Sequence, residues 1–316
     1  MAEIKVTFNT ITPLWTGDAW EKNSEIRPSS LMGNLRFWFA FYWKVVKDGI
    51  TENENLRCLE NPKNNKTFEN ILKNKILTSS SFDEAVDKTL EDLKLSVPSR
   101  IFGCTGWKSR VKIEILNFKE ENLKFDELDS SFLINTKFWI KKTLFNDRQN
   151  EPLEFFKDVE VKLITAEYWW NKYLKEFFEF LKDKLILVGG KNSFGFGFVN
   201  LQCEDIYHNN SFSSINNRMI IYKILVNYNE VNYNESKKIL GFNFKYYLRK
   251  NENKRFRTIN FGEQRKASRI YISNLLNDNQ GKYVYLIVLN NPFSTDEKDI
   301  PKNTISKYKE WIEKGV

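Results

Sequence analysis

Nine basic side chains fall between residues 245 and 270: Lys245, Arg249, Lys250, Lys254, Arg255, Arg257, Arg265, Lys266 and Arg269. Only Glu252 and Glu263 oppose them, so the segment carries +7 of a formal net charge of +8. Phe244, Tyr246, Tyr247 and Phe256 lie in or beside it. Cations interleaved with rings suit single-stranded nucleic acid, because the cations follow phosphates and the rings stack on bases. A second cluster is GGKNSFGFG, which places Gly189, Gly190, Gly195 and Gly197 around Lys191. Glycines tolerate positive φ and let a ligand approach the backbone, and successive N–H groups can cradle an anion. A helix cap followed by a tight turn would explain two of the four equally well. The loop lacks the Gly-Lys-Ser/Thr ending of a nucleotide P-loop and is not a GxGxxG fingerprint. Arg36 stands in the apolar run LRFWF, where a buried guanidinium needs a partner. Either a carboxylate such as Glu25 or Asp18, or a phosphate near the helix start, would serve.

Other chemistries are poorly supplied. The one histidine, His208, lies in the polar stretch HNNSFSSINN. Paired histidine acid–base catalysis and a His-rich metal site are therefore excluded for this chain alone. Cys58, Cys104 and Cys203 are odd in number and lack CxxC spacing, which fits neither a disulfide framework nor a zinc ribbon. They suggest a reducing, cytoplasmic setting. The start MAEIKVTFNT has no signal-peptide core, and the longest apolar run, 37–46, is too short to span a bilayer. No cofactor and no membrane partner are expected.

The elements that must hold these residues follow from periodicity and turn signals. Strands are expected at 4–9, 110–116, 132–140 and 159–165, with another ending near Cys203. A helix with Ser30 as N-cap should run to about Lys47, apolar on nearly every face and so buried on more than one side. Residues 48–98, rich in Asn, Lys and Glu, read as a helical surface insertion, with a capping box at Ser81-x-x-Glu84 and an apolar stripe of Phe82, Val86, Leu90 and Leu93. An aromatic helix is expected over 166–187. After a polar linker at 206–217 come strands at 218–226, 269–274 and 283–289 and a helix at about 303–314. The order strand, helix, strand, strand, helix, strand in the first part suits an α+β, ferredoxin-like βαββαβ sheet with both helices on one face.

An internal match argues for duplication. FGCTGWKSRVKI (102–113) and FGEQRKASRIYI (261–272) agree at Phe102/Phe261, Gly103/Gly262, Ser109/Ser268, Arg110/Arg269, Val111/Ile270 and Ile113/Ile272. The offset of about one domain length predicts two related domains, 1–205 (with the insertion at about 48–98 and the glycine-rich loop at 189–197) and 206–316.

Five segments together carry a family resemblance: ITPLWTG (11–17), EIRPSSLMGNLRFWF (25–39), IFGCTGWKSR (101–110), GGKNSFGFG (189–197) and FGEQRKASRIYIS (261–273). With them the chain resembles the RAMP superfamily of CRISPR RNA-binding proteins and, within it, the first-subunit family of the Cmr (type III-B) RNA-targeting complex. The resemblance implies two ferredoxin-like (RRM-like) domains. It also implies a non-catalytic, RNA-binding place at one end of a ribonucleoprotein in antiviral defence. The partners would be guide RNA toward its 3′ portion, the single-stranded target RNA opposite it, and other Cmr subunits. Carried over by motif, the RNA-binding set is Arg27, Arg36, Lys108, Arg110, Gly189, Gly190, Lys191, Gly195, Gly197, Arg265, Lys266 and Arg269. The loop holds Phe194 and Phe196 where family loops are more basic, which points its rings to base stacking or to packing between subunits. The competing reading is a RAMP-type endoribonuclease that processes guide RNA, with His208 or a Lys/Tyr pair as acid and base. A third is a scaffold whose basic segment meets an acidic partner.

Overall fold

The computed structural model describes residues 1–17, 23–46, 65–129, 137–145, 151–204, 206, 212–215, 218–227, 237–261, 268–290 and 300–314. Among these the chain is mixed α+β, built on two antiparallel sheets. The first half runs β1 (Ala2–Thr10), α1 (Pro28–Val46), α2 (Asn65–Ile76), α3 (Phe82–Asp92), α4 (Val97–Phe102), β2 (Lys112–Leu123), α5 (Lys137–Leu144), β3 (Leu153–Thr165), α6 (Glu167–Trp169), a π-helical turn (Trp170–Leu174), α7 (Lys175–Leu181), β4 (Leu185–Leu187) and β5 (Phe198–Cys203). Its strands are ordered β2-β3-β1-β5-β4. The second half runs β6 (Met219–Leu225), α8 (Gly241–Asn251), α9 (Lys254–Phe261), β7 (Ile270–Ile272), β8 (Leu276–Asp278), β9 (Gly281–Leu289) and α10 (Lys302–Glu313). Its strands are ordered β6-β9-β7, with β8 paired to β9.

Alternation in β1 puts Ile4, Val6 and Phe8 on one face, opposite Leu163, Val161 and Leu201 of the neighbouring strands. That face meets the apolar stripe of α1 (Leu31, Leu35, Trp38, Phe39, Tyr42) and the rings of Trp169, Tyr173 and Phe177. The opposite face carries Lys5–Glu160 and Lys162–Glu3 ion pairs, each 3.2 Å. The second sheet is covered on both sides. Ile224, Ile270, Ile272, Val284, Leu286 and Val288 pack on α8 and α10. Ile221, Tyr271, Tyr285, Ile287 and Leu289, one residue out of phase, pack against the core of the first half.

The two copies of the internal match are built alike. Phe102 and Phe261 each end a short helix. The amide of Arg110 donates to Ile101 (2.8 Å) and that of Arg269 to Asn260 (3.1 Å), nine residues back in both. Ser109 Oγ accepts from the amide of Val111 and donates to its carbonyl; Ser268 Oγ does the same with Ile270. Each serine thus closes a local loop that leads into an edge strand, β2 in the first copy and β7 in the second.

The helical hairpin of α2 and α3 is anchored through Asp87, which is fully buried. Its Oδ1 accepts from Arg100 Nη1 at 2.9 Å; Oδ2 accepts from Lys172 Nζ (2.7 Å), Tyr168 (2.8 Å) and Tyr173 (2.7 Å). Burial opposes the charged carboxylate, but Arg100, Lys172 and the two phenols outweigh it and hold the carboxyl below its ordinary range.

Several sequence expectations change. Helix α1 starts at Pro28, two residues before Ser30, because proline's fixed φ and missing N–H suit a first helical position. Ser81 does cap α3, accepting from the Glu84 amide at 3.2 Å, but the Glu84 carboxylate returns to Ser80. Phe82 is 62% exposed and outside the buried stripe. The strand expected at 132–140 is not formed at its described end: 137–144 is helical, with Ile140 and Leu144 four apart on the buried side. The aromatic helix stops at Leu181, since Leu185–Leu187 pair with β5.

Candidate nucleic-acid interface

The basic segment folds into two helices. Phe244 and Leu248 sit four apart on α8 and are buried, and the cations that follow them, Arg249 and Lys250, are turned outward. Arg249, Lys250 and Lys254 are exposed and make no ion pair among the described residues. They surround the corner between α8 and α9, where Phe256 is 41% exposed. Of the four aromatics noted in the sequence, Phe244 is core and Tyr247 packs edge-on to Trp311. Arg257 is structural: its Nη2 donates to the carbonyls of Lys250 (3.3 Å) and Glu252 (3.2 Å) and closes the end of α8. Arg265 and Lys266 lie outside the described residues, as does Gly262.

Arg269 turns inward. It is 5% exposed, and its Nη2 donates to Asn290 Oδ1 at 2.9 Å. Asn290 also accepts the Ile300 amide, so this guanidinium fixes the strand ends and is not presented to solvent. Its counterpart Arg110 is half-buried, with the guanidinium carbon 4.0 Å from the centroid of Trp107. Burial lowers the Arg110 pKa, opposed by Asp83. Lys108, between these two, is exposed and without an ion-pair partner among the described residues. Along α1, Arg27 stands 3.8 Å from Glu25. Glu25 is therefore not the partner of Arg36, and Asp18 lies outside the described residues. Arg36 is half-buried, and its Nη2 has no hydrogen-bond partner among the described residues. Gly33, one turn before it, is exposed with open space above it, and Phe37 is 43% exposed.

The glycine-rich loop has a different role from the one its composition suggests. The amide of Gly190 donates to Trp15 (2.7 Å), that of Gly197 to Pro13 (2.9 Å) and that of Gly195 to Asn192 (3.1 Å). An anion cradle from these three N–H groups is thus ruled out: protein carbonyls already occupy them. Glycine is required because a Cβ at Gly189 would stand 2.3 Å from the Trp15 carbonyl, and one at Gly197, whose φ is +74°, 2.1 Å from that of Val188. Lys191 donates to the Thr143 carbonyl at 3.1 Å and lies 4.9 Å from the Trp15 ring centroid. The phenylalanines pack internally. Phe194 stacks on Phe242 (5.2 Å) and Phe196 on Phe155 (4.3 Å), both nearly inaccessible, so neither base stacking nor intersubunit packing uses them. The loop is a latch tying the 11–17 segment to the start of α8.

For the endoribonuclease reading, His208 lies outside the described residues. Among the described residues a Lys/Tyr pair joined by a hydrogen bond is Lys172 with Tyr168, 2.7 Å apart at Asp87. Burial and then the bond to Asp87 push the Tyr168 phenol well above its ordinary value, which disfavours it as a base. Among the described residues no group of three His, Cys, Asp or Glu is placed to hold a metal ion, and no helix is long and apolar enough to cross a membrane.

The sequence singled out the basic segment but carried only its last third, with Arg265, Lys266 and Arg269, into the RNA-binding set. The cations that do face outward at the α8–α9 corner lie earlier. The signal that finds them is the Phe244/Leu248 spacing, which fixes the buried side of α8.

Comparison with curated proteins gives no significant match. Among solved structures, Cmr1 from Pyrococcus furiosus in its apo form is 15% identical with a TM-score of 0.47, over 99% of this chain and 96% of that one. A chain of the type III-B Cmr-beta complex bound to cognate target RNA is 12% identical with a TM-score of 0.42, over 98% and 99%. The RAMP superfamily model matches residues 7–200, from β1 through the glycine latch into β5. Most of the chain, including four of the five motif segments, falls within that match, and the protein belongs to the RAMP superfamily.

Proposed function

We propose that this chain is a non-catalytic, RNA-binding subunit of a type III-B (Cmr) CRISPR effector complex. It would help hold guide RNA toward its 3′ portion, or the target strand opposite, beside other Cmr subunits. RAMP membership and the motif segments shared with the first-subunit family support the class. The observation that carries RNA contact is the α8–α9 corner, where Arg249, Lys250 and Lys254 lie beside exposed Phe256 with no carboxylate among the described residues answering them. Lys108 and Arg27 extend the set, with Arg265 and Lys266 between α9 and β7. We read the architecture as two ferredoxin-like domains, 1–205 and 206–316. The strand order β2-β3-β1-β5 supports this for the first; the order β6-β9-β7, with β8 as a short fourth strand paired to β9, and the matched loops support it for the second.

Fluorescence anisotropy of the full-length protein with labelled single-stranded RNA tests the reading. Log affinity should fall by about 0.7 per neutralised phosphate for each decade of salt. The triple charge reversal Arg249→Glu, Lys250→Glu, Lys254→Glu should flatten that slope. Phe256→Ala should lose about 1–3 kcal/mol of binding, the usual share of one stacked base. An affinity indifferent to salt and to the triple change would sink the proposal.

A further inference from the structure

Lys245 sits one turn into α8 and is buried where its basic neighbours are exposed. It is 8% exposed, whereas Arg249 and Lys250 are at the surface. Its ammonium has no hydrogen bond or ion pair among the described residues. The nearest group is the ring of Tyr271 on β7, whose centroid is 5.5 Å from Nζ. Arg249 follows four residues later on the same side of the helix, also without a carboxylate. The deeply placed Arg100 and Arg269 are answered, the first by Asp87 and the second by Asn290. Burying an ammonium unpaired is costly, and filling the same space would need only a methionine or leucine. Two unopposed cations, one above the other at the edge of a sheet, form a receptor for a single anionic group.

We propose that Lys245 and Arg249, with Tyr271 beneath them, form a subsite for one phosphate of single-stranded RNA. The proposal rests on the RNA-binding reading above and adds an inward-facing lysine that this reading does not contain. The phosphate approaches from the Arg249 side, where the guanidinium offers paired donors, and supplies the counter-charge that Lys245 lacks.

The arrangement has a pH signature. Burial, and then repulsion from Arg249, push the Lys245 amine down to about 8. Tyr271 stays neutral through this range because burial pushes its phenol up to about 12. Of the other elements against α8, α10 brings Tyr308 and Lys307 to Glu252 at the far end of the helix. The glycine latch brings Lys191, which is committed to Thr143 and Trp15. Phosphate takes the charged amine, so affinity is full below pH 8 and declines as the free amine deprotonates above it.

The test is anisotropy with a labelled single-stranded RNA 20-mer and the full-length protein, at fixed ionic strength. Wild-type affinity should fall about tenfold from pH 7 to pH 9, the change in charged fraction of an amine titrating at 8. Lys245→Met, close in volume, should bind more weakly at pH 7 and show a flat profile. Lys245→Arg, charged throughout, should keep the pH 7 affinity and also be flat; it decides the matter if the methionine variant fails to fold. A wild-type slope retained in these variants, or no slope in the wild type, overturns the phosphate subsite and leaves RNA binding standing. A wild-type protein that binds no RNA at any pH overturns both.

Discussion

Asp87 takes four donors with two oxygens at a fully buried point, and three of them come from the stretch around the π-helical turn. Removing its charge takes from Arg100, whose side chain is 6% exposed, its close partner at 2.9 Å and leaves only Glu91 at 3.8 Å. Asp87→Asn should therefore destabilise the protein by about 3–5 kcal/mol in urea unfolding. Asp92→Asn, which breaks a half-exposed pair with Lys75, should cost about 0–1 kcal/mol. The folded carboxyl sits below its unfolded value of about 4, so its contribution is present at neutral pH and lost as pH falls below that value. Little of this network was legible beforehand. Asp87 lies in SFDEAVDKTLEDL as one acid among several, and its partners come from a helix some 80 residues on. The single histidine, by contrast, could be counted at once, because composition needs no fold.

Among the elements, the glycine latch shows how the same residues support two readings until the neighbours are placed. Four clustered glycines fit an anion cradle or a crowded crossing of backbones. The 11–17 segment decides for the crossing, and no local pattern links residue 15 to residue 190. Gly197→Ala forces a side chain into a left-handed conformation, costing about 1–2 kcal/mol before the clash with the Val188 carbonyl is added. Thermal unfolding should show a large loss for it. Gly33→Ala, in open space on α1, should instead gain about 0.5–1 kcal/mol. Strands with strict alternation, such as β1, were readable because one face is buried and the other carries ion pairs. FLINTKFWI alternates too, yet its described end is a helix, since Ile140 and Leu144 find a buried cluster at helical spacing. Helices α8 and α9 were hidden by their own charge, which drew the reading to nucleic-acid contact and away from the apolar helical spacing of Phe244 and Leu248.

Across the whole molecule, the six-position match between 102–113 and 261–272 was the most informative long-range signal. It survives as a shared serine loop and a shared arginine amide contact, because these are local bonds that each copy makes for itself. The guanidinium groups have diverged, one over Trp107 and one in contact with Asn290, and that divergence is set by surroundings the motif does not contain. The double covering of the second sheet reaches further. Leu286, Ile287 and Val288 of β9 are fully buried and paired on both sides, with β6 and β7. Their amides can meet water only when the two halves part and the sheet opens together. In hydrogen–deuterium exchange they should be the last to take up label, long after 116–119 of the exposed, bulged edge strand β2. Equal rates at the two places would mean that the second half opens by itself; late exchange at β9 would make its central strand a clock for the molecule as one unit.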